Sequence, residues 1–197
     1  MIEPTWSRRA LLLLAVGLAA CGKEPTGGEA RPATGERRAG PTTVAPIAPA
    51  AGPGHEVAIL AGGCFWGMED LLRKIDGVVD TEVGYIGGDP ARATYDQVHL
   101  GDTGHAESVK VEFDPRKLSY AVLLERWYFR MHDPTTVDRQ GNDRGSQYRS
   151  TIFYTSDAQR TTALAVRAQV EASHFWPAPI VTTVEPAGVF TVAEAEH

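Results

Sequence analysis

A short apolar strand, a glycine pair and an amphipathic helix follow one another directly between residues 56 and 76. The first stretch, EVAIL at 56–60, is apolar and bounded by glycines, which predicts a buried strand. The helix is predicted by apolar residues at helical spacing: Phe65, Met68, Leu72 and Ile75. Asp76-Gly77 ends it, because glycine readily adopts the left-handed conformation found after a helix. A strand-to-helix turn therefore falls on GGCFWG at 62–67, with Cys64 in or beside the first helical turn.

Cys64 is the only cysteine in the part of the chain that the sequence predicts to be folded. The thiolate is the reactive form of cysteine, and the unpaired N–H groups at a helix start favour it. Phe65 and Trp66 cannot both enter one core, so we expect one of them to line a pocket beside the sulfur. The alternative is a buried structural cysteine that packs as a small apolar residue.

Further strands and helices are predicted along the rest of the chain. The strands are expected at 78–85, 107–113, 150–155 and 179–184, and the helices from Ser119 to about Met131 and from Ser156 or Asp157 to about Ala172. Residues 86–106 and 132–149 are predicted to be long polar loops, a kind of loop that is often functional. The order of elements predicts an α+β fold, a ferredoxin-like split β-α-β sandwich with a central mixed sheet and flanking helices.

Residues 1–21 have the features of a bacterial lipoprotein signal peptide. Arg8 and Arg9 precede an apolar run at 10–18 that is short for a membrane span. The following LAAC at 18–21 resembles a lipobox, whose cysteine, here Cys21, becomes lipidated. SRRALL at 7–12 also resembles a twin-arginine export signal, and an uncleaved N-terminal anchor is the alternative. Each of these predicts a location in the bacterial cell envelope, outside the cytoplasm.

Residues 22–54 are predicted to be a flexible tether in front of a catalytic domain at 55–197. Between Cys21 and Gly54, 13 of 34 residues are Gly or Pro and none is aromatic, so the segment buries too little apolar surface to offset ordering entropy. The domain carries 13 Lys and Arg residues against 21 Asp and Glu residues. This charge excludes a basic nucleic-acid-binding face. The potential metal ligands lack the spacing of zinc sites.

Several polar residues in or beside the two loops could act together with Cys64. They are Glu107, Asp143, Tyr95, Tyr148, His105 and His132. Each type also has an ordinary structural interpretation: a solvated carboxylate, an Asx-turn residue, a loop-packing tyrosine or a capping histidine. Spacing alone does not choose among them.

The stretch around Cys64 resembles the GCFWG signature of the peptide methionine sulfoxide reductase A family. Similar segments follow in the family's order: GYIGG at 84–88, TY at 94–95, GDTGHAESV at 101–109, HDPT at 132–135, RQGND at 139–143 and QYRS at 147–150. The resemblance covers residues 55–197. Several ordered motifs over one domain make a chance similarity negligible.

The resemblance implies thiol-dependent reduction of methionine sulfoxide to methionine, specific for the S epimer at sulfur, on oxidised proteins and on small sulfoxides. It assigns a role to each of seven residues: Cys64 as nucleophile, Glu107 as acid, Tyr95 and Tyr148 as oxygen-polarising groups, Asp143 as supporting carboxylate, and Phe65 and Trp66 as the wall that receives the S-methyl group. Glu107 can donate a proton only if its pKa is raised. We expect partial burial near Cys64 to raise it.

The resemblance implies no bound cofactor and no metal. Many family members carry a resolving cysteine, but residues 55–197 contain none besides Cys64, and His99 stands where some relatives have cysteine. A sulfenic acid at Cys64 is therefore expected to be reduced by an external thiol, from a thioredoxin-like or glutaredoxin-like partner or a small molecule. The segment AEAEH at 193–197 resembles the family's AE-x-x-H segment.

Two other functions are compatible with the residue types. A papain-like cysteine hydrolase would need His105 or His132 as a base beside Cys64, with Asn142 to orient it. A non-catalytic envelope lipoprotein would use the domain to bind partners, and it would keep its function in a Cys64→Ser variant.

Overall fold

The computed structural model describes residues 51–197, so the predicted signal peptide, the predicted lipidation site Cys21 and most of the predicted tether lie outside the described residues. The strands are β1 (Glu56–Gly62), β2 (Val78–Ile86), β3 (Ala106–Phe113), β4 (Arg139–Gln140), β5 (Asp143–Arg144), β6 (Ser150–Tyr154), β7 (Thr183–Pro186) and β8 (Thr191–Val192). The helices are α1 (Phe65–Leu72), α2 (Tyr95–His99), α3 (Tyr120–Val122), α4 (Phe129–Met131) and α5 (Asp157–Ala172). A π-helical stretch (Leu123–Tyr128) joins α3 to α4, and short 3₁₀ turns lie at Pro90–Arg92 and Ser146–Tyr148.

Six strands form one sheet in the order β7-β6-β1-β3-β2-β8. Among the four central strands, β6, β1, β3 and β2, each strand is antiparallel to the next, which is the predicted ferredoxin-like arrangement. The sheet is mixed because β7 runs parallel to β6 at one edge. The predicted fold class is therefore confirmed. No helix among residues 51–197 is long and apolar enough to cross a membrane.

The strand β1 is buried on both faces, as its nearly continuous apolar sequence predicts. Ala58 and Leu60 belong to the main core, which also contains the apolar faces of α1 and α5. Val57, Ile59 and Ala61 face the opposite side, in a smaller cluster that includes Phe190 near the C-terminus. Since β1 is the most buried strand, the turn at its end is fixed on a rigid support.

The helices predicted to begin at Ser119 and at Ser156 or Asp157 are found, each with a serine cap, while two helices differ in detail. The hydroxyl of Ser119 accepts a hydrogen bond from the N–H of Val122 at 3.3 Å, and that of Ser156 accepts one from the N–H of Gln159 at 3.2 Å. The helical segment after Ser119 reaches Met131 as predicted, but its middle is π-helical. The helix α1 ends at Leu72, before the predicted Asp76-Gly77 stop, although Gly77 does have a positive φ of 98°.

Both predicted loops contain regular structure that the sequence pattern did not reveal. Residues 86–106 include α2, and residues 132–149 include the β4–β5 hairpin, both too short to show periodicity. The strand predicted at 179–184 begins only at Thr183. The preceding residues are held elsewhere, because the N–H of Val181 donates to the carbonyl of Pro134 at 2.8 Å.

Candidate active site

Strand register explains why residues far apart in sequence meet at one end of the sheet. Cys64 follows β1 by two residues and is the N-cap residue of α1. The strands β3 and β6 lie on either side of β1 and run antiparallel to it. Their N-terminal ends therefore flank the C-terminal end of β1. Glu107 is the second residue of β3, and Tyr148 precedes β6 by two residues.

The glycine pair before Cys64 is required by close packing from the second loop. A Cβ on Gly62 would lie 2.8 Å from the ring of His132, and Gly63 has a φ of 109° with Gln140 packed directly against it. The amide of Gln140 bridges back to the loop, accepting from the N–H of Asp133 at 3.0 Å and donating to its carbonyl at 3.1 Å. The turn that presents Cys64 thus rests on the HDPT and RQGND segments.

Glu107 is a buried carboxyl group directed at the start of α1. Its side chain is almost fully buried, with 2% of the residue surface exposed, and Oε2 accepts a hydrogen bond of 3.1 Å from the N–H of Phe65. Burial raises the pKa of Glu107 to about 7, with a smaller contribution from the charge of Asp143, while the hydrogen bond from Phe65 acts in the opposite direction. The direction expected from the sequence is found, and this carboxyl group can carry a proton near neutral pH.

Cys64 is half-buried, and its pKa is raised rather than lowered. Burial is the main cause, and the charges of Glu107 and Asp143 add to it. The sulfur makes no capping hydrogen bond, although the N–H groups of Trp66 and Gly67 act to lower its pKa. The N–H groups at the helix start therefore act in the expected direction, but they do not lower the net pKa of Cys64. Burial beside acidic groups raises the pKa of Cys64 by more than the N–H groups at the helix start lower it.

Two phenol groups and a second carboxylate surround this pair. Burial, followed by the charge of Glu107, raises the pKa of Tyr148 to about 12 and also raises the pKa of Tyr95. Both hydroxyls therefore remain protonated donors at neutral pH. Asp143 is exposed on β5, and its charge acts on Cys64, Glu107 and both tyrosines. All five predicted catalytic residues are brought together.

The two aromatic residues after Cys64 divide their roles between core and surface. Phe65 is fully buried in the main core, whereas Trp66 is 47% exposed. Their ring centroids are 5.9 Å apart, and Trp66 stacks on Tyr95 at 6.2 Å. The expectation that the two rings would not share one core is confirmed, and the lining of a pocket by Trp66 stays a prediction.

The segment 193–197 was not predicted to belong to the site, yet it packs against it. Glu194 accepts hydrogen bonds from the N–H of Tyr95 and the hydroxyl of Tyr85, and His197 packs on the ring of Tyr95. Two features of the sequence could have indicated that this segment belongs to the site: the AE-x-x-H resemblance at 193–197 and the position of Tyr85 within GYIGG.

The histidines that a cysteine hydrolase would use are bonded elsewhere. In His132, Nδ1 lies 2.8 Å from the carbonyl oxygen of Tyr128 and Nε2 lies 2.7 Å from the hydroxyl of Ser150. Burial lowers the pKa of His132 to about 4. In His105, which is also buried, Nδ1 lies 2.9 Å from the hydroxyl of Thr103. Neither ring is hydrogen-bonded to Cys64 within residues 51–197, so the geometry does not favour that alternative.

Comparison with known proteins identifies the family. The family model described as peptide methionine sulfoxide reductase matches residues 56–197. The chain belongs to the peptide methionine sulfoxide reductase family. It is 55% identical over 142 residues to peptide methionine sulfoxide reductase MsrA 1 of Mesorhizobium japonicum, an alignment that covers 72% of this chain and 80% of that protein. The predicted family and the predicted oxidoreductase class are thereby confirmed.

Solved structures agree with this assignment. Reduced Mxr1 from Saccharomyces cerevisiae matches with a TM-score of 0.70 and 36% identity, over 75% of this chain and 85% of that one. Mxr1 in complex with Trx2 matches with a TM-score of 0.55 and 27% identity, over 77% of this chain and 89% of that one.

Proposed function

We propose that this protein reduces methionine S-sulfoxide to methionine, in oxidised proteins and in small sulfoxides, with Cys64 as the nucleophile. The observation that carries the proposal is the buried carboxyl group of Glu107, whose pKa is about 7 and which lies at the helix start beside Cys64. A group with such a pKa can deliver a proton at neutral pH. Family membership and the relatives named MsrA support the same reaction.

The first task of the site is to make a sulfoxide electrophilic. Its oxygen is a poor leaving group unless it is protonated or strongly hydrogen-bonded. The hydroxyls of Tyr95 and Tyr148 donate to that oxygen as its negative charge grows, and Glu107 supplies a proton to it. Since these donors are held by packing before the substrate arrives, little reorganisation is needed in the transition state.

The chemical step is an oxygen transfer between two sulfur atoms. The sulfur of Cys64 attacks the sulfoxide sulfur, the substrate's sulfur–oxygen bond breaks, and the oxygen becomes bonded to Cys64 as a sulfenic acid. One proton is used in total: the thiol of Cys64 gives it up as the thiolate forms, and Glu107 delivers it to the oxygen, so cysteine thiol plus sulfoxide gives cysteine sulfenic acid plus methionine. Cys64 is oxidised by two electrons and the substrate is reduced by two.

The aromatic residues after Cys64 select the epimer. If the exposed ring of Trp66, with the buried ring of Phe65 packed against it, receives the S-methyl group on one side, only one configuration at sulfur can place its oxygen at Glu107 and the tyrosines. The opposite epimer would direct its oxygen into the apolar wall, where no donor satisfies it.

An external thiol completes the cycle. Cys64 is the only cysteine between residues 51 and 197, so the sulfenic acid is attacked by a partner thiol, which forms a mixed disulfide and releases water. A second thiol then frees Cys64 and leaves the partner oxidised. The solved complex of yeast Mxr1 with Trx2 supports a thioredoxin-like reductant, and a glutaredoxin-like protein or small thiol has the same chemistry.

The location of this activity is proposed from the N-terminal sequence. The basic residues, the apolar run and the LAAC segment at 18–21 support lipidation of Cys21 and repair of oxidised proteins in the bacterial cell envelope. Mass spectrometry of the protein from its native membrane is expected to show a lipidated N-terminal Cys21. An unmodified chain beginning at Met1 would reject the lipid anchor while leaving the enzymatic proposal intact.

The enzymatic proposal is tested by single-turnover reduction of the two separated methionine sulfoxide epimers. The Cys21→Ser variant of the full chain is used, because Cys64 is then its only thiol. One methionine per chain from the S epimer alone, with a sulfenic acid left on Cys64, is the expected result. The Cys21→Ser, Cys64→Ser double variant is the matched control and should form none. No methionine from either epimer would reject the proposal and favour the binding-module alternative.

A further inference from the structure

Residues 193–197, here called the C-terminal strap, cross the site after the last strand. The strap begins where β8 ends, and the N–H of Ala193 still donates to the carbonyl of Val83 at 3.0 Å. It closes on itself through a hydrogen bond of 3.0 Å from the N–H of His197 to the carbonyl of Glu194. The last residue is thereby turned back toward the site.

Glu194 holds the strap in place by accepting hydrogen bonds from two tyrosines. Its Oε1 accepts from the backbone N–H of Tyr95 at 2.8 Å, and its Oε2 accepts from the hydroxyl of Tyr85 at 2.9 Å. Because Tyr95 is the first residue of the five-residue helix α2, the bond to its N–H fixes the helix start and the strap together.

His197 packs against the three aromatic side chains that surround the predicted sulfoxide site. Its ring centroid lies 4.5 Å from that of Tyr95, 5.5 Å from that of Trp66 and 5.7 Å from that of Phe65. The side chain is 9% exposed, and Nδ1 has no hydrogen-bond partner among residues 51–197. A buried polar nitrogen without a partner is costly, so this atom is suited to bind a polar group of a bound molecule.

We propose that His197 is a substrate-contacting residue that completes the wall around the sulfoxide's S-alkyl group, and that Glu194 is the positioning residue that holds it there. The inference rests on the proposed function, since Trp66 and Tyr95, with Phe65 packed behind them, face a sulfoxide only if that reaction occurs here. The ring limits the size of the alkyl group, and Nδ1 hydrogen-bonds a polar group of the same substrate. The strap therefore sets substrate preference.

The test compares methionine S-sulfoxide with ethionine S-sulfoxide, which has one extra methylene on the alkyl group. Steady-state kcat/KM is measured for the full chain with dithiothreitol as the reductant. Wild type is expected to prefer the methyl substrate. His197→Ala is expected to lower kcat/KM for methionine S-sulfoxide by about 10-fold and to lose most of the preference over the ethyl substrate, because one methylene in an apolar pocket is discriminated about 10-fold or more.

His197→Phe separates the wall from the nitrogen. This variant keeps a ring in the pocket, so it is expected to retain the methyl preference, while KM rises a few-fold because Nδ1 is lost. The exposed His174 gives the matched control, His174→Ala, which is expected to resemble wild type. For Glu194, alanine is expected to reproduce the loss of preference, and glutamine, which still accepts from Tyr95, to restore part of it.

The outcomes separate this inference from the function on which it rests. If wild type reduces neither substrate, the proposed function is wrong. If wild type is active and His197→Ala keeps its methyl preference, or loses both substrates by the same factor, the ring does not contact the alkyl group and the inference fails. An unchanged KM in His197→Phe would reject the role of Nδ1.

Discussion

The backbone N–H of Phe65 donates a hydrogen bond of 3.1 Å to Oε2 of Glu107, across 42 positions of sequence. This bond links the helix that begins after Cys64 to the strand beside it. It favours the ionised carboxylate, whereas burial favours the protonated form, and burial is the larger influence on the pKa of Glu107. The carboxyl group is therefore both fixed in position and able to hold a proton, as an acid in oxygen transfer requires.

Replacing Glu107 with glutamine tests the acid directly. Glutamine can still accept from the N–H of Phe65 and donate to a sulfoxide oxygen, so substrate affinity is expected to change little. The single-turnover rate is expected to fall by about 100-fold or more, because proton transfer by a positioned group contributes about 10²–10⁴-fold. Rapid-quench measurement of methionine against substrate concentration gives the rate and the affinity separately. A weaker affinity with an unchanged maximal rate would mean that Glu107 only binds substrate.

The pH dependence of that rate follows from the two raised pKa values. The balanced reaction uses one proton shared between Cys64 and Glu107, so the active form has the thiolate beside the protonated carboxyl group. As pH rises through about 7, the single-turnover rate is expected to increase, because the fully protonated pair loses one proton there. At more alkaline pH, near the raised pKa of the thiol, the pair loses its second proton and the rate is expected to decrease.

In Glu107→Gln the shape of the profile is expected to change as well as its height. The step near pH 7 disappears, and the rate rises with the thiolate of Cys64 to an alkaline plateau. A Glu107→Gln profile parallel to that of wild type would show that another group supplies the proton.

Each tyrosine hydroxyl is expected to matter through the transition state. Tyr148→Phe and Tyr95→Phe remove a donor and leave the ring, so each is expected to slow single turnover by about 100-fold with little effect on folding. Tyr154 serves as the control, because it lies at the end of β6 and outside the group of residues that acts on Cys64. Tyr154→Phe is expected to react like wild type. Wild-type single-turnover rates in both Tyr148→Phe and Tyr95→Phe would rule out a role in polarising the oxygen.

The sequence was most informative where side-chain patterns repeat over a whole element. The apolar run of β1, the strand predicted at 107–113 and the helix predicted to begin at Ser156 or Asp157 all correspond to observed elements. These patterns record local burial, and the order of elements then leaves few ways of pairing the strands.

The sequence was least informative where long-range contacts determine structure. The helix α2 has five residues and is fixed by Glu194, which lies 99 positions away. The raised pKa of Cys64 likewise depends on burial and on Glu107 and Asp143, which strand register and the β4–β5 hairpin bring near. The resemblance to the family predicted the site residues, whereas their influence on one another depends on the three-dimensional arrangement.

The pH dependence of the unfolding free energy gives a last prediction. Folding raises the pKa of Glu107 and lowers the pKa of His132, so the two groups change stability in opposite directions over nearly the same pH range. The pKa of Glu107 rises from 4.5 to about 7 on folding, so the folded state binds more protons, and this contribution to stability is lost as pH rises from 4.5 to 7. The pKa of His132 falls from 6.5 to about 4, so its contribution is present above 6.5 and is lost as pH falls toward 4. Each of these two contributions to the unfolding free energy amounts to about 3 kcal/mol.

Wild-type stability is therefore expected to change little between pH 4.5 and 6.5 from these two groups, and single substitutions should reveal each of them. In Glu107→Gln only His132 remains, so stability relative to wild type should rise with pH. In His132→Asn only Glu107 remains, so relative stability should fall with pH. Urea unfolding at pH 4.5, 5.5 and 6.5 measures both differences, in which all other titrating groups cancel. Parallel curves for the two variants would mean that neither group has a shifted pKa in the folded protein, and the acid assigned to Glu107 would lose its physical basis.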